Sequence, residues 1–263
     1  MMERLRVLSI NVRGLGSAAK SAKIVQELSN LSCDVILLQE PHVSCKKRAE
    51  RFEKLWKGKC FWSFGTGKSA GVAVIFSSTF SGNIVCFLFD CNGRILSLLI
   101  DFHNLFLNVV NIYSPNAPSE CKMFFSDLHS YFLSQGLLFI SGDFNCIDNV
   151  LDKLNCSIVS SVDKTSLVTL MSDFSLYDVW HKQNPRKVSF TWSNSSRTQA
   201  SRIDRFFMAK SLFAKASCEI LPCVLSDHDF VKLSVSLDGV VKRGSGIWRF
   251  NNSLLSHPDF KLP

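Results

Sequence analysis

A four-layer αββα sandwich, an α/β fold of two mixed β-sheets packed face to face and flanked by helices, is what this sequence predicts. Three observations carry the expectation. Apolar runs of strand length outnumber helical stretches, the helical stretches are amphipathic, and both halves of the chain show strands, a helix and more strands.

Residues 5–10 (LRVLSI) read as the first strand, which ends at Asn11; Gly14 and Gly16 then turn the chain into a helix with Ile24, Val25, Leu28 and Leu31 on one face. Residues 35–39 (VILLQ) form a buried strand that stops at Glu40-Pro41, because proline interrupts regular pairing. A basic amphipathic helix follows near 46–55, whose Lys46, Lys47, Arg48, Arg51 and Lys54 read as a solvated face. Between Cys60 and Tyr113 the texture changes to short β runs at 60–64, 71–76, 83–89, 94–101 and 105–113, punctuated by Gly, Asn and Asp as in hairpins. A helix over 119–134 places Phe124, Leu128 and Phe132 on one stripe and stops before Gly136. Strand 137–142 (LLFISG), a helix around 163–173, and strands at 188–192, 202–209, 218–224 and 230–236 complete the domain. Composition shifts to Gly, Lys, Arg and Asn from Asp238, so the domain is expected to span 1–237, with 238–263 a linker.

At 263 residues the chain fits one mixed α/β domain, and 46% hydrophobic residues exclude a disordered class. Thirty basic against 22 acidic side chains give +8, which fits a polyanionic partner such as nucleic acid and equally an ordinary basic protein. The ten cysteines contain no C-x-x-C pair, so they read as buried free thiols in a reducing compartment instead of disulfides or a zinc site. The N-terminus carries Glu3, Arg4 and Arg6 and lacks a long apolar core, so no secretion signal is expected. The longest apolar runs are too short to span a bilayer, so no membrane partner is expected.

Chemistry concentrates where apolar strands end: Asn11 after VLSI, Glu40 after VILLQ, Tyr113 after NVVNI, and Asp143 and Asn145 at the end of LLFISG. Asp204 stands within SRIDRFF, and Asp227-His228 precede the last strand. Such strand ends could line one crevice whose carboxylates suit Mg²⁺, with Mn²⁺ as the substitute. Taken singly, Glu40-Pro41 and Gly142–Asn145 also read as turns, Asp227-His228 as a strand entry and Tyr113 as an edge aromatic.

The ordered set Asn11, Gln39-Glu40, Tyr113, Gly142-Asp143-Phe144-Asn145, Thr191-Trp192, Arg202-Ile203-Asp204 and Ser226-Asp227-His228 resembles the endonuclease/exonuclease/phosphatase superfamily over about residues 5–237. The resemblance is closest to the endonuclease domain of retrotransposons of the long-interspersed-element type, through LSINVRGLG (8–16), SAGVAVIF (69–76) and WRFNNSLL (248–255). It implies a metal-dependent DNA endonuclease that nicks one strand of duplex DNA and leaves a 3′ hydroxyl to prime reverse transcription. The implied partners are double-stranded DNA and a reverse transcriptase region of the same polyprotein. Synthesis in the cytoplasm and action in the nucleus are implied as well.

By the same resemblance Glu40 and Asp227 hold metal, Asp143 prepares the attacking water, and Asn11 and Asn145 fix its hydrogen bonds. His228, held by Asp204, donates to phosphate, as does Tyr113. Repair relatives carry an acidic residue where this chain has Arg13, which implies one metal ion here and makes Arg13 a phosphate contact. The polar stretch SNSSRTQAS (193–201) resembles a hairpin that enters the minor groove, so Thr191, Arg197, Ser201 and Arg202 are the expected DNA contacts. A cellular abasic-site repair endonuclease is the alternative, although no aromatic wedge stands at Lys68-Ser69-Ala70. A lipid phosphatase of the superfamily would need a membrane-facing apolar loop, and a catalytically dead DNA-binding module would not need every catalytic position filled.

Overall fold

The computed structural model describes residues 4–66, 71–158 and 161–237. Two six-stranded sheets form its centre. The first has the order β13 (Ala216–Leu221), β14 (Phe230–Ser236), β1 (Arg4–Asn11), β2 (Val35–Gln39), β4 (Gly71–Phe76), β3 (Cys60–Phe64). The second has the order β5 (Asn83–Phe89), β6 (Ile95–Phe102), β7 (Leu105–Tyr113), β8 (Leu137–Asp143), β12 (Asp204–Ala209), β9 (Leu176–Asp178). Both are mixed: β1 runs parallel to β2 and β7 to β8, and their other pairings are antiparallel. A small hairpin joins β10 (Trp192–Ser193) to β11 (Ala200–Ser201).

Three apolar clusters account for the layering. Leu5, Val7, Val35, Leu37, Val72 and Val74 meet Leu107, Val109, Phe139, Phe206 and Met208 between the sheets. The alternate residues Leu8, Ile10, Ile36, Leu38, Ala73 and Ile75 pack outward with Ile24 and Leu28 of α1 (Ala18–Asn30) and Ala49 and Phe52 of α2 (Lys46–Trp56). On the far side Val110, Ile112, Ile140 and Phe207 meet Cys121 and Phe125 of α3 (Pro118–Asp127) and Leu167 and Leu170 of α4 (Ser161–Asp173). Central strands are therefore buried on both faces, which is why β2 and β4 read as unbroken apolar runs and not as alternating ones.

The inter-sheet face changes character along its length. Leu5 and Val7 give way to Ser9 and Asn11, Val35 and Leu37 to Gln39, Leu107 and Val109 to Asn111, and Phe139 to Ser141 and Asp143, all buried. These polar residues keep the parity of the apolar ones, so they point into the same gap between the sheets. Gln39 Nε2 donates to Asn111 Oδ1 at 2.7 Å, and Asn111 Nδ2 donates to the Leu38 and Ala73 carbonyls at 2.9 and 2.8 Å, tying the two sheets together beneath the crevice.

Several elements differ from the sequence reading. The expected strand 188–192 is reduced to Trp192–Ser193, because Thr191 is shared among three segments: its N–H donates to Ser201 O and its carbonyl accepts from Asp229, while Oγ1 accepts from Ile203 and Asp204. The expected strand 202–209 begins only at Asp204, since Arg202 N–H leaves the ladder for Asp152 O at 2.7 Å. The helix expected over 119–134 ends at Asp127 and continues as one 3-10 turn, Leu128–Tyr131. The strand β9 and the helix α5 (Val179–Gln183) are too short to show a period. Of the thiols expected to be buried, Cys45, Cys86 and Cys91 are exposed. The proposed linker 238–263 and Lys68-Ser69-Ala70 lie outside the described residues.

Gly142 shows how tightly the second sheet is closed at the crevice. It lies inside β8, not in a turn, with φ +140°, and a Cβ there would run into the Ile112 carbonyl. Gly142→Ala is expected to cost on the order of 3 kcal/mol, from overpacking plus a backbone angle unsuited to alanine. Urea denaturation checks this; an unchanged midpoint refutes it.

Candidate active site

Strand direction gathers the chemistry at one edge. The parallel pair β1–β2 ends side by side at Asn11 and Gln39, with Glu40 next along the chain. The parallel pair β7–β8 ends with Tyr113 opposite Asp143, and antiparallel β12 starts there, with Asp204 opposite Asp143. Antiparallel β14 begins beside the end of β1, so Asp227 and His228 reach the same edge, and Ser226 Oγ donates to Asn11 O at 2.7 Å.

Asn11 links the two sheets' carboxylates. Its Nδ2 donates to Glu40 Oε1 at 2.9 Å and to Asp143 Oδ2 at 3.0 Å. Asp143 also accepts the Asn145 backbone N–H at 2.9 Å through Oδ1. Asn145 holds φ +47° to make that contact, and its side-chain amide donates to Ser114 O at 2.8 Å. Asn145 thus fixes Asp143 from the backbone while its amide anchors the loop to the end of β7.

His228 is 3% exposed, and its Nδ1 lies 2.9 Å from Asp204 Oδ2. Burial opposes charge on the imidazole, but the Asp204 carboxylate and its hydrogen bond outweigh burial and raise the pKa to about 9. His228 Nε2 stands 4.0 Å from Asp143 Oδ2, too far for a direct hydrogen bond, so both can address a third group. Burial and the nearby Asp204 push Asp143 up to about 7, against the pull of His228 and the Asn11 and Asn145 hydrogen bonds. The Glu40 carboxyl sits below its ordinary value: burial opposes this, and hydrogen bonds from Asn11, His42 and Tyr113 prevail. Burial and the Glu40 charge raise the Tyr113 phenol, keeping it a neutral donor.

Two groupings could hold a cation. Ligand atoms of Asp143, Asp204 and His228 lie within 4.8 Å of one another. Nδ1 of His228 is already engaged with Asp204, so this grouping acts as a hydrogen-bonded dyad beside a carboxyl. Glu40 Oε1 and Asp227 Oδ1 converge instead on one positive group, the Arg13 guanidinium, at 3.7 and 3.4 Å. Hard oxygens turned towards one positive charge fit a divalent cation such as Mg²⁺.

The expected DNA contacts divide. Arg197 is exposed in the hairpin between β10 and β11. Arg202 is corrected: it is 1% exposed, with Nε 2.7 Å from Asp152 Oδ1 and Nη1 2.8 Å from Asp178 Oδ2, and it cannot reach a ligand. Thr191 is corrected too, since its buried Oγ1 accepts the Ile203 and Asp204 N–H groups and sets the start of β12. Ser201, also buried, pairs with Trp192 in the hairpin. The sequence reading missed His42, whose Nε2 lies 3.2 Å from Glu40 Oε2, and Asn111; an Asn at each of two positions inside the apolar run LFLNVVNIY was the signal for the second. It also gave no role to Trp192, whose Nε1 donates to Asp227 Oδ2 at 3.0 Å.

A family model described as the endonuclease/exonuclease/phosphatase family matches residues 8–228, which include every residue of this edge. The chain belongs to that family. Among its relatives is a protein described as "Transposon TX1 uncharacterized 149 kDa protein" from Xenopus laevis, 30% identical over 262 residues. That match takes in 97% of this chain, which spans only 20% of the relative's length. An apurinic/apyrimidinic endonuclease from Archaeoglobus fulgidus superposes with a TM-score of 0.72 at 17% identity, covering 88% of this chain and 99% of its own. A 3′ phosphatase from Neisseria, bound to a product DNA hairpin, superposes at 0.70 and 19% identity over 88% and 99%. The endonuclease/exonuclease/phosphatase fold read from the ordered motifs is therefore the fold of the chain. No helix among the described residues is long and apolar enough to cross a membrane.

Proposed function

We propose that this member of the endonuclease/exonuclease/phosphatase family is a metal-dependent DNA endonuclease that nicks one strand of duplex DNA. The carrying observation is the pairing of a deeply buried, raised-pKa carboxyl, Asp143, with the Asp204–His228 dyad 4.0 Å away. A carboxylate that ionises near neutrality can take a proton from water, and an imidazolium that persists at neutral pH can stabilise the anion formed at phosphorus.

Asp143, oriented by Asn11 and Asn145, accepts the proton of the attacking water. His228 donates from Nε2 to a non-bridging phosphate oxygen while Asp204 holds Nδ1–H. Tyr113, neutral beside Glu40, donates to the same phosphate. Glu40 and Asp227 would hold Mg²⁺, or Mn²⁺, whose chemistry there is neutralisation of the phosphate and of the departing 3′ oxygen. The product is a 3′ hydroxyl suited to priming a reverse transcriptase. The likeness to a transposon protein several times longer supports that role, and action in the nucleus is part of the same proposal.

Supercoiled plasmid incubated with Mg²⁺ is expected to become open circles, with nick positions clustered when mapped on long duplex DNA. No nicking by the intact protein sinks the proposal, and a strong preference for an abasic duplex replaces it with a repair endonuclease.

The pH dependence follows from the two shifted groups. Asp143 is active when deprotonated, so kcat/KM rises as pH passes through about 7. His228 is active when protonated, so the rate falls as pH passes through about 9. Asp204→Asn removes the charge that sustains the imidazolium and is expected to move the falling limb to lower pH. A falling limb left in place excludes His228 as its source.

Arg197→Ala is expected to weaken duplex binding by about threefold to tenfold, as for one exposed cation against DNA. It should also flatten the nick map. A mapped pattern identical to that of the unaltered protein removes the hairpin from target choice.

A further inference from the structure

Arg13 is the cation that Glu40 and Asp227 share. Its Nη1 lies 3.7 Å from Glu40 Oε1 and its Nε 3.4 Å from Asp227 Oδ1, linking residues on β2's exit and β14's entry. The backbone beneath it is fixed from several sides. Arg13 N–H donates to Asn11 Oδ1 at 3.1 Å, and Lys20 Nζ donates to the Val12 and Arg13 carbonyls at 2.8 and 2.9 Å. Gly14 N–H donates to Glu40 O at 2.7 Å. The residue holds φ +47°, an angle that a bulky side chain adopts only under constraint. The guanidinium by contrast is loosely engaged: the side chain is 51% exposed, and both contacts are longer than charge-assisted hydrogen bonds. A rigid base thus carries a cationic head that can leave.

We infer that Arg13 is an exchangeable internal counter-ion: it neutralises Glu40 and Asp227 before the divalent cation binds, and is then displaced onto the DNA phosphate. This rests on the proposed metal site and adds a positioning role for a residue that cannot itself ligate metal. Two positive groups cannot share the same pair of carboxylates without repulsion. The half-exposed guanidinium is the one free to move, and the nearest polyanion is the strand being cut. Metal and DNA binding are then coupled: the cation frees the arginine, and the freed arginine strengthens DNA binding, with equal reciprocal effects.

The test measures Mn²⁺ binding to the free protein by electron paramagnetic resonance, without DNA. Arg13→Gln is expected to tighten Mn²⁺ by about threefold to tenfold, the range supplied by one or two exposed guanidinium–carboxylate contacts. Arg13→Lys is expected to fall between the two. Duplex affinity measured with Ca²⁺ and without a divalent ion should show a cation-dependent gain that is larger in the unaltered protein than in Arg13→Gln, which keeps only the ion's own contribution. A purely structural arginine would give the opposite sign, since losing it would loosen the carboxylates and weaken Mn²⁺. Unchanged or weaker Mn²⁺ binding in Arg13→Gln overturns the inference while leaving the metal site intact. Mn²⁺ binding unaffected by Glu40→Gln and by Asp227→Asn overturns the metal site itself, and the inference with it.

Discussion

His228→Ala is expected to lower kcat/KM for plasmid nicking by about 10²- to 10⁴-fold, the range spanned by a positioned proton-transfer group or an anion-stabilising donor. The imidazole is buried, its Nδ1 is spent on Asp204, and Nε2 faces the gap in front of Asp143. Alanine removes the imidazolium that faces Asp143 and strands Asp204, whose Oδ1 already has no hydrogen-bond partner. Some stability is lost as well, because a buried carboxylate without its donor carries an uncompensated desolvation cost of about 1–3 kcal/mol. The double variant Asp204→Asn/His228→Ala separates the two effects. If the residues act as one unit, the double variant nicks no more slowly than His228→Ala alone and recovers part of the lost stability. Nicking by His228→Ala at the unaltered rate removes the imidazole from the mechanism.

Arg205→Met carries the largest expected cost in stability, about 3–5 kcal/mol, the range for removing one partner of a buried ion network. The Arg205 side chain is 0% exposed, 3.1 Å from Asp148 and 3.2 Å from Asp152, and it also donates to the Cys146 carbonyl at 3.0 Å. Burial alone would discourage its charge, yet Asp148 and Asp152 raise its pKa above the ordinary value. Methionine fills much of the volume but leaves both carboxylates with fewer cations, Asp152 retaining Arg202. The loss reaches the crevice, since Cys146 follows Asn145, and Arg205 follows Asp204. Guanidinium denaturation measures the cost, and a loss below about 1 kcal/mol contradicts this account. Activity per folded molecule at low temperature should fall far less than in His228→Ala.

Asn11, Tyr113 and Asp143 were legible because each ends an apolar run in the parity that faces the buried gap, and Glu40 because it directly follows such a run and precedes Pro41. β2, β4, β5 and β7 keep the expected limits because continuous apolar runs bounded by turn residues leave little freedom of length. Arg202 and Thr191 were misplaced for a physical reason. A charged or hydroxyl residue beside a polar hairpin is ordinarily exposed, and nothing near Arg202 in sequence shows that Asp152 and Asp178 accompany it into the interior.

By itself the sequence determined the layered sandwich, the family and the set of strand-end residues, since hydrophobic period and residue order along the chain are local properties. Only the tertiary structure decided which charges meet. Arg13 reaches Asp227 through the pairing of β1 with β14, Arg202 reaches Asp152 where the exit of β8 meets the entry of β12, and Asp143 stands beside His228 only after the two sheets close on one another. Charge pairing depends on distances of a few ångströms and on burial, and both are fixed by packing between segments far apart in the chain.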